Sequence, residues 1–241
     1  MRILVTGGAG YLGSEVARQA VKAGHDVTAT QLHTPAPFGR PFTVDLRRPF
    51  ELPDADVVIH TAYVQADADM IVRSTRAVAA AARRLVHVST DLVFDGEHAP
   101  YDEDAMPRPV SEYGRAKLEA ESFVRDGLVV RTSLLYGQPG PQEALAARDD
   151  VVFHEDEIRC PTHVADLAAA LLELAASDMT GILHVAGPDA VSRLELARRL
   201  GARDPRGAPT PPGRARNVAL DSARAARLLA TRLRGIREYQ G

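Results

Sequence analysis

The stretch MRILVTGGAGYLGSEVARQAVKA, residues 1–23, decides how the chain is read. An apolar run from Ile3 to Val5 gives way to a turn carrying Gly7, Gly10 and Gly13 at GxxGxxG spacing, and from Tyr11 apolar residues recur at helical intervals. Strand, glycine turn and helix in that order are where a phosphate-binding loop forms. The first glycine permits the tight turn, the second lets backbone approach a pyrophosphate, and the third allows close helix packing, while the helix N-terminus offers N–H groups to the anion. Gly7, Gly10, Tyr11, Leu12 and Gly13 are therefore candidate contacts for a dinucleotide. A glycine motif alone is a weak signal, and its position between strand and helix is what gives it weight.

Outward from this turn the alternation repeats. Strands are expected at 26–30, 56–60, 85–89 and 127–132, with helices over 64–84 and 111–125 and room for six strands by residue 132. Strands separated by helices imply an α/β protein with a doubly wound parallel sheet. Beyond Gly137 the pattern loosens through 138–141, which places a boundary between a dinucleotide-binding domain, 1–137, and a reduced substrate-binding region, 138–241, partly packed back on the first. That remainder offers a strand near Val151, a helix over 162–176, a strand over 181–186, a helix over 192–200 and a last helix from Asp221.

Composition narrows the class. The 241 residues are 45% hydrophobic and 25% charged, enough apolar surface for a substantial core. A net charge of -3 gives no electrostatic drive toward nucleic acid or an anionic membrane, and no run approaches a membrane span. Cys160 is the only cysteine, which excludes an internal disulfide and fits a cytoplasmic setting. His154 to Glu157 cluster in sequence, but adjacent residues on an extended chain alternate faces, so no metal site is expected.

Three positions carry chemistry. At the end of the second strand, where an acid would bind a ribose 2′-hydroxyl and repel a 2′-phosphate, the chain reads Gln31, Leu32, His33, with Arg40 a few residues on. NADP(H) is therefore preferred, with NAD(H) possible. Tyr113 and Lys117 lie four apart, on one helix face. Lys22 and Lys117 are the only lysines beside 27 arginines, so position 117 is an exception in a chain that elsewhere places arginine. A compact ammonium can lower a phenol's pKa and hydrogen-bond a ribose at once. Ser89 and Thr90 end a strand at the carboxyl edge, where open α/β sheets place ligands.

Together these residues resemble the extended short-chain dehydrogenase/reductases of Rossmann fold. Residues 89–96, STDLVFDG, resemble the signature of the dTDP-4-dehydrorhamnose reductase branch, and the likeness continues through Tyr101, Glu103, Tyr113-Gly114, Lys117, Arg131-Thr132-Ser133, Pro161-Thr162, Asp166-Leu167 and Asn217 to Asp221. The resemblance implies that Thr90 hydrogen-bonds the reacting oxygen, that Tyr113 donates the proton and that Lys117 tunes it and holds the nicotinamide ribose. It places Asp45 and Leu46 near adenine, Thr61, Ala62 and Tyr63 along the cofactor after His60, Ser89 on the cofactor side, and Asp91 by the substrate. Where that branch carries an aromatic lining the substrate's sugar this chain has Leu134, which the resemblance places among the substrate contacts, and where it reads DQxGxPT this chain has Arg159 and Cys160 within residues 156–162. Arg159 is open to two readings, a substrate phosphate or a surface salt bridge to Glu155 or Glu157. The implied activity is reduction of a keto group on a nucleotide-sugar or a related small carbonyl compound, with a homodimer compatible. An epimerase or dehydratase of the same superfamily and a non-catalytic NADP-binding regulator are the alternatives.

Overall fold

The structure is a computed structural model, described for residues 1–137 and 140–239. Gln138 and Pro139, at the expected boundary, and the last two residues lie outside the described residues. Seven strands form the main sheet. They are β1 (Arg2–Thr6), β2 (Asp26–Gln31), β3 (Arg40–Thr43), β4 (Val57–His60), β5 (Leu85–Thr90), β6 (Leu128–Thr132) and, after the short strands β7 (Leu135–Tyr136), β8 (Val152–His154), β9 (Ile158–Arg159) and β10 (Thr162–His163), the strand β11 (Gly181–His184). The order is β11-β6-β5-β4-β1-β2-β3, with β1 parallel to both β2 and β4. The sequence turns outward from β1 in both directions, as in a doubly wound sheet.

Residues Ile3 to Val5 are buried without alternation because helices cover both faces of a parallel sheet. The strand named in no sequence pattern is β3: Arg40, Pro41 and Thr43 are exposed, and only its parallel register with β2 gives it a place at the sheet edge.

The helices are α1 (Tyr11–Lys22), α2 (Ala68–Ala81), α3 (Glu112–Glu121), α4 (Pro141–Ala146), α5 (Val164–Ala175) and two short C-terminal ones, α6 (Arg193–Arg199) and α7 (Ala223–Leu228). Helix α2 starts later than its apolar pattern suggests because the Asp67 carboxylate accepts from the Met70 N–H at 2.8 Å and caps it. Helix α3 ends early, where Ser122, Phe123 and Val124 each bond back three residues and tighten the last turn. No helix among the described residues is long and apolar enough to cross a membrane.

Two compact units interleave along the chain. The first comprises 1–89, 115–130 and 168–182, and the second 90–114, 131–167 and 183–241. Within the first, Leu4, Ala55, Val58, Val78, Leu85, Val124 and Val129 pack as one cluster. Within the second, β7 pairs with β10, and β9 pairs antiparallel with β12 (Val191–Ser192). A core of Tyr136, Val191, Leu196 and Ile236 forms there, with Leu134 against it. Strand β13 (Arg206–Ala208) pairs with β8.

Candidate active site

The glycine turn is built by sterics. Gly7 has φ +72°, its N–H donates to Thr30 Oγ1 at 2.9 Å, and the Gly10 N–H bonds back to the Gly7 carbonyl at 2.8 Å. A Cβ on Gly7 would lie 2.9 Å from Ala62 Cα, and one on Gly13 would lie 2.1 Å from the Gly7 oxygen. Thr61 Oγ1 donates to the Thr6 carbonyl at 2.7 Å, so the loops after β1 and β4 are held together at their carboxyl ends. Gly10 caps α1 without a side-chain hydrogen bond and the first turn holds no acid, so neither cap nor first turn neutralises that positive helix end. Turn, helix end and Ala62 together fit the pyrophosphate of a dinucleotide. Tyr63, half exposed, has the Lys117 ammonium 5.7 Å from its ring centre.

The residues expected to select the cofactor fare differently. Gln31 ends β2, its side chain accepting from Ala36 N–H at 2.9 Å and donating to Thr43 at 3.1 Å. His33 is exposed just beyond it. Arg40 is not at that edge. It is in register with Thr28, three residues back along β2 or roughly 10 Å at strand rise, and its guanidinium reaches Thr28 Oγ1 at 3.1 Å and Asp26 at 3.7 Å. Arg40, expected among the cofactor contacts, thus stands at the start of β3, beside Thr28 and Asp26. Asp45 holds Arg47, whose hydrogen bonds bring the carboxyl down to about 2, and Leu46 beside it is buried.

Lys117 is 3% exposed, and its Nζ donates to the Val88 carbonyl at 2.7 Å and lies 3.4 Å from His87 Nε2. Burial pushes its pKa down to about 8 despite the opposing charge of Glu121. His87 is held well below the usual histidine range by burial and by the charge of Lys117, so its ring is neutral. Behind it, His60 lies 2.6 Å from Thr6 Oγ1 through Nδ1 and 3.2 Å from Thr75 Oγ1 through Nε2. Burial lowers its pKa to about 3. Ser89 donates to Glu121 at 2.5 Å and is buried, so its hydroxyl serves the interior.

At the end of β5 the chain enters a 3₁₀ turn, Asp91–Val93, for which Thr90 is the cap. Thr90 Oγ1 accepts from Leu92 N–H at 3.2 Å and lies 3.1 Å from Asp91 Oδ1. Asp91 is fully buried. It accepts from Ser133 Oγ at 2.5 Å and, through both oxygens, from Arg159, with Nε at 2.7 Å. Arg159 is therefore buried with Asp91, and the expected salt bridge to Glu157 is present at 3.5 Å, but inside the protein and not at its surface. Burial works against its charge, but Asp91 outweighs it and raises the pKa, and Tyr113 contributes in the same direction. Tyr113 is half-buried in the first turn of α3, one turn before Lys117. A Cβ on Gly114 would lie 2.1 Å from the Leu92 carbonyl, so α3 packs directly on the 3₁₀ turn. Leu134 packs into the Tyr136 core.

Sequence reasoning missed His87 and Glu121, which touch Lys117 and Ser89 only through the fold, and it named Ser133 within a motif without foreseeing its bond to Asp91. Cys160 is buried with its pKa pushed up to about 11, a neutral thiol. No group of three or more metal-binding side chains occurs among the described residues.

Comparison with known proteins identifies the family and the fold. The family model described as the RmlD substrate binding domain matches residues 1–238. A dTDP-4-dehydrorhamnose reductase of Mycobacterium tuberculosis is 36% identical over 233 residues, covering 82% of this chain and 73% of that protein. The crystal structure of a hypothetical dTDP-4-dehydrorhamnose reductase from Sulfolobus tokodaii superposes with a TM-score of 0.83 at 28% identity, over 96% of each chain. That of a dTDP-4-dehydrorhamnose reductase from Bacillus anthracis in complex with NADP gives 0.78 at 23% identity, over 98% and 96%, a likeness of fold alone.

Proposed function

Since this chain belongs to the RmlD substrate binding domain family, the dTDP-4-dehydrorhamnose reductase-like branch of the extended short-chain dehydrogenase/reductases, we propose that it reduces a keto group on a nucleotide-sugar with NAD(P)H as reductant. The observation that carries this reading is the pair Tyr113 and Lys117 one turn apart on α3, the lysine buried and bonded to the Val88 carbonyl. Neither a packing tyrosine nor a solvated lysine needs that arrangement.

Gly7, Gly10, Gly13, Tyr11, Leu12, Thr61, Ala62 and Tyr63 would hold the dinucleotide, with Lys117 at its ribose. A reduced nicotinamide supplies the hydride when bound. The chain's own residues manage the charge that develops on the carbonyl oxygen. Tyr113 donates its phenolic proton to that oxygen, and the Lys117 ammonium favours the resulting phenolate. Thr90 turns its hydroxyl from Asp91 to the oxygen and adds a hydrogen bond that strengthens as charge builds. Gln31 carries no charge that would repel a 2′-phosphate, which supports NADPH ahead of NADH.

The test is NADPH consumption with a panel of nucleotide-sugars and simple ketones. Steady, stoichiometric oxidation is expected for a reductase, whereas an epimerase or dehydratase returns its cofactor each turnover. Tyr113→Phe should lower kcat by roughly 10² to 10⁴. Turnover unchanged by that substitution would remove the proposed acid, and tight cofactor binding without turnover on any substrate would favour a regulator.

A further inference from the structure

Around Glu157 the second compact unit gathers more guanidinium than carboxylate. Asp91 is saturated by Arg159, Ser133 and Thr90. Glu157 is buried and gives one oxygen to Arg159 at 3.5 Å and the other to Arg214 at 2.9 Å. Asp156, next in line, accepts from Thr210 twice at 2.7 Å and faces Arg216 at 3.7 Å. One more arginine enters this group. Arg193 follows β12, which pairs with β9 so that Val191 faces Arg159, and its own N–H bonds to the Glu157 carbonyl at 3.0 Å.

Among the described residues the side chain of Arg193 makes no ion pair, and the charges of Glu157 and Asp91 only partly offset burial and the cations around it. Its Nη1 donates to the neutral Gln142 Oε1 at 2.9 Å, and among the described residues Nε and Nη2 have no acceptor. It is only partly exposed, and burial together with the nearby charge of Arg159 brings its pKa down to about 10, so it is still cationic at neutral pH. A partly buried guanidinium beside other cations is unfavourable unless an anion completes it. Gln142 holds one edge of the group and leaves two N–H directions, a fork that matches phosphate oxygens.

We propose that Arg193 binds the diphosphate of the nucleotide-sugar substrate, with Gln142 orienting its guanidinium. This rests on the reductase reading for the identity of the anion, and its test does not depend on turnover. The diphosphate is favoured over a sugar carboxylate because its charge of roughly -2 answers both Arg193 and the exposed end of Arg214.

The experiment is calorimetric titration of the full chain, saturated with NADP⁺, with dTDP, thymidine and glucuronate in separate runs. The proteins are wild type, Arg193→Gln, Arg193→Lys and, as a control, the exposed Arg224→Gln. Wild type and the control are expected to bind dTDP far better than thymidine. Arg193→Gln is expected to weaken dTDP on the order of 10- to 100-fold, with Arg193→Lys between the two and NADP⁺ affinity unchanged. Should Arg193→Gln fail to fold, the lysine variant carries the same comparison, because a point charge loses the fork. Equal dTDP affinity in wild type and the Arg193 variants overturns the proposal, as does wild type that binds no dTDP or prefers glucuronate. NADPH oxidation on a nucleotide-sugar, measured separately, would then still uphold the reductase reading.

Discussion

Asp91 and Arg159, 68 residues apart in sequence, form a two-pronged ion pair whose side chains are 0% and 6% exposed. It ties the turn after β5, where Thr90 stands, to the short strand β9. Taking two charges out of water is costly, so the pair is worth more for the geometry it imposes than for net stability. Asp91→Asn leaves Arg159 buried beside Arg193 with one carboxylate fewer and should destabilise the fold by about 3–5 kcal/mol. Replacing both partners, Asp91→Leu with Arg159→Met, should cost clearly less than the sum of the single changes. Urea melts of the three proteins measure this, and additive losses would show that the pair is not coupled.

Lys117 sets a pH limit on activity. Its folded pKa of about 8 means that the ammonium is present below that value and lost as pH rises through it. NADPH-dependent reduction should therefore fall on the alkaline side with a midpoint near 8, and kcat across pH 6–10 reports it. Activity flat to pH 10 would contradict the assigned role.

The same residue opposes folding. The folded pKa lies below the ordinary lysine value of 10.5, so the unfolded chain binds the proton more tightly. The penalty, about 3 kcal/mol from burial, is complete below about pH 8 and fades between 8 and 10.5. In the absence of cofactor, Lys117→Met should melt above wild type at pH 7 and be inactive, and its advantage should shrink as pH approaches 10.5. A Tm difference independent of pH would remove the electrostatic explanation.

Gly13→Ala places a Cβ 2.1 Å from the Gly7 oxygen, backbone against backbone with no flexible side chain to yield. Loss of dinucleotide binding is expected, by at least tenfold in Kd, along with a lower Tm. Gly24→Ala is the matched control for space alone, since a Cβ there meets nothing within 4 Å. Its φ of +81° still carries a strain cost, so it should lower Tm while leaving NADPH affinity intact.

Cofactor choice separates the two residues that the sequence groups together. Arg40→Ala should leave the ratio of kcat/KM for NADPH and NADH unchanged, because Arg40 faces Asp26 and Thr28. Gln31→Asp places a negative charge at the strand edge and should shift that ratio toward NADH by about tenfold or more. A large shift with Arg40→Ala would return that residue to the cofactor.

Most of the sheet was legible before the structure because buried parallel strands are continuous apolar runs, as in Ile3 to Val5 and Val57 to Ile59. Strand β3 was not, since three of its four residues are exposed and its identity comes from register with β2. Tyr113 and Lys117 were legible because a helix makes residues four apart neighbours, and the glycine turn because its constraint is local. The interleaving of the two compact units was not legible, because the segment 168–182, most of α5 and the start of β11, joins the first unit through space.

By itself, then, the sequence determined what depends on spacing along the chain: the strand-turn-helix that starts the fold, the helical tyrosine and lysine, and the hydroxyl after β5. Only the tertiary structure decided which charges meet. Arg40, Arg159 and Arg193 look alike as letters, yet one sits at a strand edge with Asp26, one is spent on Asp91 and one is bonded to the neutral Gln142. Electrostatic partnership depends on distance through space and on the water removed around each group, and neither quantity is encoded by position in the chain.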